Sequence, residues 1–257
     1  MKSKECQDLT PQNTNQSLTG TQHNLFQDKL WKAHQDKVIS CTRCPRLIAH
    51  CRAIAKEKRR SFIEQTYWGK PVPSFGDPNA RLVIVGLAPA AHGANRTGRM
   101  FTGDNSGLWL YRALYKAGFT NKEPLPPAQA NCRDGLLLQD CIISAVNRCA
   151  PPDNKPTNKE IQNCHEYLDW EIKNLTQAKV YLVLGGIAFN EVKKVFGLKG
   201  AKFSHGAHFE IDSNRYLLCS YHPSQQNTFT KRLTEPMFDI IFNKAKHLIK
   251  SHSSKIL

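Results

Sequence analysis

Arg81-Leu-Val-Ile-Val-Gly-Leu87 decides how this chain is read. It is a short, continuous apolar run without polar alternation, the pattern of a strand buried on both faces of a parallel sheet. Similar runs follow at Cys141-Ile-Ile-Ser-Ala-Val146, Val180-Tyr-Leu-Val-Leu184 and Tyr216-Leu-Leu-Cys-Ser-Tyr221. Helical patterns lie between or after them at about 106–118, 158–174, 187–196 and 232–249. This alternation predicts an α/β fold, a three-layer α/β/α sandwich around a central, mainly parallel four-stranded sheet. Ligands of such sheets gather beyond the carboxyl ends of the strands. The loops after Leu87, after Val146 and after Tyr221 are therefore where a site is expected.

Upstream, residues from Phe26 to about Arg60 read as broadly helical, broken at Cys41-Thr-Arg-Cys-Pro45, where Pro45 suits the first turn of a new helix. Residues 1–24 are polar, rich in Gln, Asn and Thr, and without periodicity, so a disordered tail is expected there. Residues 25–257 are expected to form a single domain. Pro71, Pro73, Gly76 and Pro78 mark an irregular lead into the first strand, and the Pro-rich segment 121–140 reads as a surface insertion.

The chain has 36 Lys and Arg against 21 Asp and Glu, a net charge of +15, which predicts attraction to a polyanion such as nucleic acid. No apolar run is long enough to cross a membrane, and the N-terminus has no secretory pattern, so a cytoplasmic location is expected. In that reducing setting nine cysteines argue for metal ligation or inert buried thiols rather than a disulfide framework. Cys41 and Cys44 form a C-x2-C pair, and Cys149 and Cys164 form a C-x14-C pair far downstream. Four such thiolates suit a tetrahedral zinc site or a [4Fe-4S] cluster. The other five, Cys6, Cys51, Cys132, Cys141 and Cys219, are expected to be unliganded. Stitching a helix pair to a strand-end loop is a structural task more than an electron-transfer one.

The first strand-end loop contains Gly86-Leu-Ala-Pro-Ala-Ala-His-Gly93 and Asn95-Arg-Thr-Gly-Arg-Met-Phe-Thr-Gly-Asp104. It is Gly-rich but lacks the spacing of nucleotide-binding loops. The second contains Cys149-Ala-Pro-Pro-Asp-Asn-Lys-Pro156, and the third His222-Pro-Ser-Gln-Gln-Asn227. In this order the segments resemble the uracil-DNA glycosylase superfamily, and specifically its family 5 (type B) branch, over about Cys41 to Leu248. The resemblance implies a monofunctional DNA glycosylase that flips uracil out of DNA and hydrolyses its N-glycosidic bond, leaving an intact abasic strand. It also implies a structural [4Fe-4S] cluster on Cys41, Cys44, Cys149 and Cys164, with zinc the lesser alternative. The partner would be DNA, double-stranded and also single-stranded, and the enzyme a monomer.

Such a reaction builds positive charge on the sugar and negative charge on the leaving base, so it needs a carboxylate near the sugar, donors at the base oxygens, and a flat wall for the flipped base. The resemblance casts Asp104, Asn154 and His222 as catalytic, with Asp104 orienting water and His222 donating to the base. Asp104 also stands where a helix N-cap belongs. Phe101 would stack on the base, though a core position suits a Phe as well; Gly86, Ala88 and Asn227 would complete the base pocket. Arg96, Arg99, Arg148, Lys155 and Lys231 are candidate phosphate contacts. Gln225 and Gln226 lie in the loop expected to enter the minor groove; glutamine is a weak wedge, which leaves Phe229 or the backbone for that task. Two departures matter: Ala88 and Ala145 stand where relatives confined to uracil carry polar groups. The resemblance therefore implies a wider range that includes hypoxanthine and xanthine. The competing reading is a non-catalytic nucleic-acid-binding protein with a structural metal cluster.

Overall fold

The computed structural model describes residues 21–251. The helices are α1 (Thr21–Ile39), α2 (Pro45–Glu57), α3 (Ala94–Thr97), α4 (Asn105–Lys116), α5 (Asn158–Asn174), α6 (Gly186–Val195), α7 (Gln225–Phe229) and α8 (Glu235–Lys250). The strands are β1 (Phe75–Gly76), β2 (Leu82–Gly86), β3 (Cys141–Ala145), β4 (Val180–Leu184), β5 (His208–Asp212) and β6 (Arg215–Ser220). Among the described residues they form one sheet in the order β1-β3-β2-β4-β6-β5.

The four apolar runs are its parallel centre. Leu82 pairs with Cys141 on one side and Val180 on the other, and Val180 pairs in turn with Tyr216. Successive side chains on a strand point to opposite faces. Leu82 and Ile84 accordingly pack with α4 and α8, through Leu110, Leu114, Phe238 and Phe242. Val83 and Val85 pack with α5 and α6, through Leu168, Ile172, Phe189 and Val192. A sheet covered on both faces has no solvent side, which is why its strands read as unbroken apolar runs.

The sheet has six strands, not the expected four. β1 joins β3 and β5 joins β6, both antiparallel and both at the edges. β1 is only two residues long, amid prolines, and β5 is half solvated with alternating exposure, so neither carries an apolar run. Residues 1–20 of the expected tail lie outside the described residues, but Thr21 to Asn24, assigned to that tail, begin α1. The 121–140 segment is more than a surface insertion. Ala130, Leu136 and Leu138 are buried in it, and Asp134 forms a buried pair with Arg99. No helix among the described residues is long and apolar enough to cross a membrane.

Candidate active site

Three strand-end loops meet beyond the carboxyl edge of the sheet, and the first is bent sharply to present an aromatic ring. Phe101 has a φ of 53°, in the left-handed region that a bulky side chain rarely enters. The strain is held by the surroundings. Tyr111 donates its hydroxyl to Met100 O at 2.8 Å, and Thr97 Oγ1 donates to Thr102 O at 3.1 Å. Arg99 grips Thr102 Oγ1 at 2.8 Å and both oxygens of Asp134 at 2.8 and 2.7 Å. Arg96 donates to His92 O, Gly103 O and Pro127 O at 2.8, 3.1 and 2.9 Å.

Phe101 lies flat over the end of β2 because residue 86 is glycine: a Cβ there would sit 2.7 Å from the ring. The ring is buried and faces the imidazole of His222, with centroids 5.7 Å apart and planes 31° apart. Asp104 closes the same loop. Its Oδ1 accepts the Gly107 N–H at 2.8 Å as the N-cap of α4, while Oδ2 lies against Gly93, where a Cβ would stand 2.2 Å away. One oxygen of Asp104 thus caps the helix and the other is turned to the loop. Burial pushes its pKa above the usual carboxylate range, against the helix amides and Arg96, which favour the charged form.

His222 follows β6. Its carbonyl accepts the side-chain amide of Asn227 at 2.8 Å, so Asn227 positions the histidine and does not offer that N–H to a base. Burial pushes the imidazole down to about 4, so it is neutral near pH 7 and retains one N–H to donate. Sequence reasoning missed His205. Its Nδ1 accepts the Tyr221 N–H at 3.2 Å, its ring stacks on Tyr221 at 5.0 Å, and Arg232 covers the tyrosine at 4.6 Å. It also missed the Gly185-Gly186 turn after β4, which receives the Ser220 carbonyl through the Gly185 N–H at 2.9 Å and borders His222. A lone His and a Gly pair carry no readable signal until the strands are set side by side.

Asn154 is exposed, in a left-handed turn with a φ of 57°, and forms no hydrogen bond with Asp104 or His222. Ala88 is half-buried on the first loop and Ala145 is buried in β3, so neither places a polar group there. Lys155, Gln225, Gln226 and Lys231 are exposed, as a DNA contact requires. Arg96, Arg99 and Arg148 are not available for phosphate: all are buried and committed within the protein. The first two brace the Phe101 loop. Arg148 donates to Ser74 Oγ, Ser144 Oγ and Glu171 Oε2 at 2.7, 2.9 and 2.5 Å, a buried network between β3 and α5.

Behind the second loop, Cys41, Cys44, Cys149 and Cys164 line one cavity together with Asn147 and Arg148. All four are free thiols, the last two buried. Cys44 is the N-cap residue of α2, and Asn163 donates to its Sγ at 3.5 Å. Arg46 clamps Glu160 at 2.8 and 2.7 Å, tying α2 to α5 beside the cavity. Burial pushes the Cys164 thiol up to about 12, so its thiolate form calls for a cation. The Asn147 Oδ1 and Arg148 Nε atoms on this side are buried without a hydrogen-bond partner. Among the described residues no three His, Cys, Asp or Glu side chains close to the span of a single ion.

Comparison with known proteins bears on this arrangement. The family model described as the uracil DNA glycosylase superfamily matches residues 73–246. The chain is 44% identical over 219 residues to a type-5 uracil-DNA glycosylase of Thermus thermophilus, covering 84% of this chain and 97% of that one. It is 47% identical to one of Mycobacterium leprae (82% and 93% covered) and 46% identical to one of Mycobacterium bovis (81% and 78% covered).

Proposed function

This chain belongs to the uracil DNA glycosylase superfamily, within its type-5 group, and from that premise we propose that it excises uracil from DNA at the Phe101–His222 site, initiating base repair. The observation that carries the assignment is a buried aromatic ring and a neutral imidazole facing each other at the carboxyl ends of β2 and β6, the ring on a loop that also carries the Asp104 carboxylate.

A flipped base needs an apolar wall, and Phe101 provides one with its ring fixed by the loop. As the bond to C1′ lengthens, charge builds on the base oxygen. The His222 N–H, already neutral and desolvated, is worth most there because no water competes for it. The Asp104 carboxylate offsets the positive sugar and orients the attacking water. Asn154 stands on the exposed lip of the second loop and would reach the base edge only with DNA in place. No lysine lies among these groups as a nucleophile, which supports hydrolysis by water and an intact abasic strand.

The same reading extends to hypoxanthine and xanthine. Ala88 and Ala145 leave the pocket without a fixed polar reader of the uracil edge, so acceptance of a base rests on shape and on its ability to leave as an anion. The enzyme is proposed to act in the cytoplasm as a monomer on duplex and single-stranded DNA. The four cysteines are proposed to hold a [4Fe-4S] cluster. The donor set fits: four thiols line one cavity, with an amide donor at Cys44. When bound, the cluster supplies a structural cross-link between α2, the second loop and α5, and the chemistry of excision stays with Asp104 and His222.

The test is incubation of the purified protein with duplexes carrying uracil, hypoxanthine or xanthine, followed by alkali. Cleavage at uracil only after alkali is expected. No cleavage at uracil would refute the assignment, and nicking without alkali would refute the monofunctional mechanism.

A further inference from the structure

We propose that His205 is a positioning residue for base excision: it fixes the main chain one residue ahead of His222 and thereby aims that imidazole at the base; the proposal rests on the base-excision reading above. β6 ends at Ser220, whose carbonyl accepts the Gly185 N–H at 2.9 Å. Tyr221 stands just past the strand, where a side chain rather than a neighbouring strand receives its N–H. That side chain is His205, whose Nδ1 accepts at 3.2 Å. The Tyr221 carbonyl is held as well, by the Ser220 hydroxyl at 2.9 Å. His222 comes next, and its own carbonyl accepts the Asn227 side-chain amide at 2.8 Å. The chain is thus gripped immediately before and immediately after the catalytic imidazole, and His205 makes the first grip.

The segment that carries His205 is itself fastened to the sheet. The Gly206 N–H donates to Cys219 O, and the Cys219 N–H donates to Ala207 O, each at 2.9 Å. Lys244 of α8 donates to Gly206 O at 2.8 Å. The His205 ring stacks on Tyr221 with centroids 5.0 Å and planes 21° apart, and Arg232 lies over the same tyrosine at 4.6 Å. Because Nδ1 is an acceptor, the ring proton belongs on Nε2, and His205 hydrogen-bonds the Met237 main chain in the first turn of α8. Burial holds the His205 pKa below the usual imidazole value, which keeps Nδ1 free of a proton at neutral pH. Both ring nitrogens are therefore committed to the protein, and His205 acts on the reaction through Tyr221 rather than on the base.

An imidazole released from this grip leaves DNA binding intact but misses the base oxygen, so the loss falls on the chemical step. The experiment compares full-length wild type with His205→Gln, which keeps an acceptor, and His205→Phe, which keeps a ring on Tyr221 and loses the acceptor. Single-turnover excision of uracil, DNA affinity and melting are measured on each, and the imidazoles are followed by nitrogen-15 NMR. His205→Phe should slow excision about tenfold to a hundredfold at unchanged DNA affinity. Its His222 should titrate about one pH unit or more above the wild-type midpoint as that ring leaves its buried position. His205→Gln should recover most of the rate and the wild-type His222 midpoint. In the wild type itself the spectrum should report His205 protonated on Nε2, a result that does not depend on His205→Phe folding. An unchanged rate or an unmoved His222 midpoint in His205→Phe, an equal rate loss in both variants, or a wild-type His205 protonated on Nδ1 would overturn the proposal. Were the wild type to excise nothing, the base-excision reading would fall, while the His205 tautomer and the His222 titration would still decide whether one histidine positions the other.

Discussion

Asp104 caps a helix with one oxygen and turns the other to the first loop, and its cap and its proposed catalytic duty separate by substitution. Asp104→Asn keeps an oxygen for the Gly107 N–H, so melting should change little while the excision rate falls by about 10²–10⁴, the usual worth of an acid–base group. Asp104→Ala should show the same rate loss plus about 1 kcal/mol of stability from the lost cap. Melting curves alongside single-turnover rates check both. His222 stays neutral through mild acid. Its folded pKa lies near 4 against an ordinary 6.5, so lowering the pH from 7 to 5 leaves it neutral and should not cost activity through this residue. The unfolded chain takes up that proton first, so this group erodes stability as pH falls from about 6.5 towards 4. The loop positions of Asp104, His222 and Phe101 were legible because each stands in a motif that follows an apolar run. The arginines were not, because a sequence shows charge but not burial. Arg99 and Lys155 look alike as text, yet Arg99 is paired with Asp134 inside the protein and Lys155 is on the rim. Arg99→Ala should therefore destabilise by about 3–5 kcal/mol, as expected for breaking a buried pair. Lys155→Ala should leave melting unchanged and lower the slope of DNA affinity against salt by about 1. Thermal denaturation and salt titrations of binding distinguish them.

At the scale of elements, the four central strands were readable because each is apolar from end to end, and the covering helices because their periodicity is regular. β1 and β5 escaped for a physical reason: edge strands need pair on one side only and face water, so composition does not betray them. The 121–140 segment escaped because its contribution is made through Pro127 O and Asp134, which are read only once the two arginines fold against them. The cysteine spacing singled out Cys41, Cys44, Cys149 and Cys164 as ligands, and the four line one cavity. If they hold a cluster, its oxidative removal should lower the melting temperature and expose α2 and its junction with α5 to proteolysis before the sheet. Equal protection of α2 with and without the cluster would argue against a structural role. The Arg46–Glu160 clamp beside it holds the Glu160 carboxyl at about 2, below its usual range. That contribution is present above about pH 4.5 and is lost as pH falls towards 2, so Arg46→Ala should flatten the decline of melting temperature with acid in this window.

The whole molecule is a doubly covered sheet with a working edge, and its net charge of +15 favours approach to DNA before any specific contact forms. Charge and cysteines alone would fit a protein that binds nucleic acid without acting on it. The proposed difference lies in Phe101 and Asp104 on one loop and His222 on another, more than a hundred residues away in the chain. The most direct test is therefore the excision of uracil from a duplex by wild type and by the Asp104→Ala/His222→Ala double variant, with DNA affinity measured on the same preparations. Excision by wild type, collapse of excision in the variant and unchanged affinity are the predicted result. Retained excision in the variant, or none in the wild type despite tight DNA binding, would contradict the account.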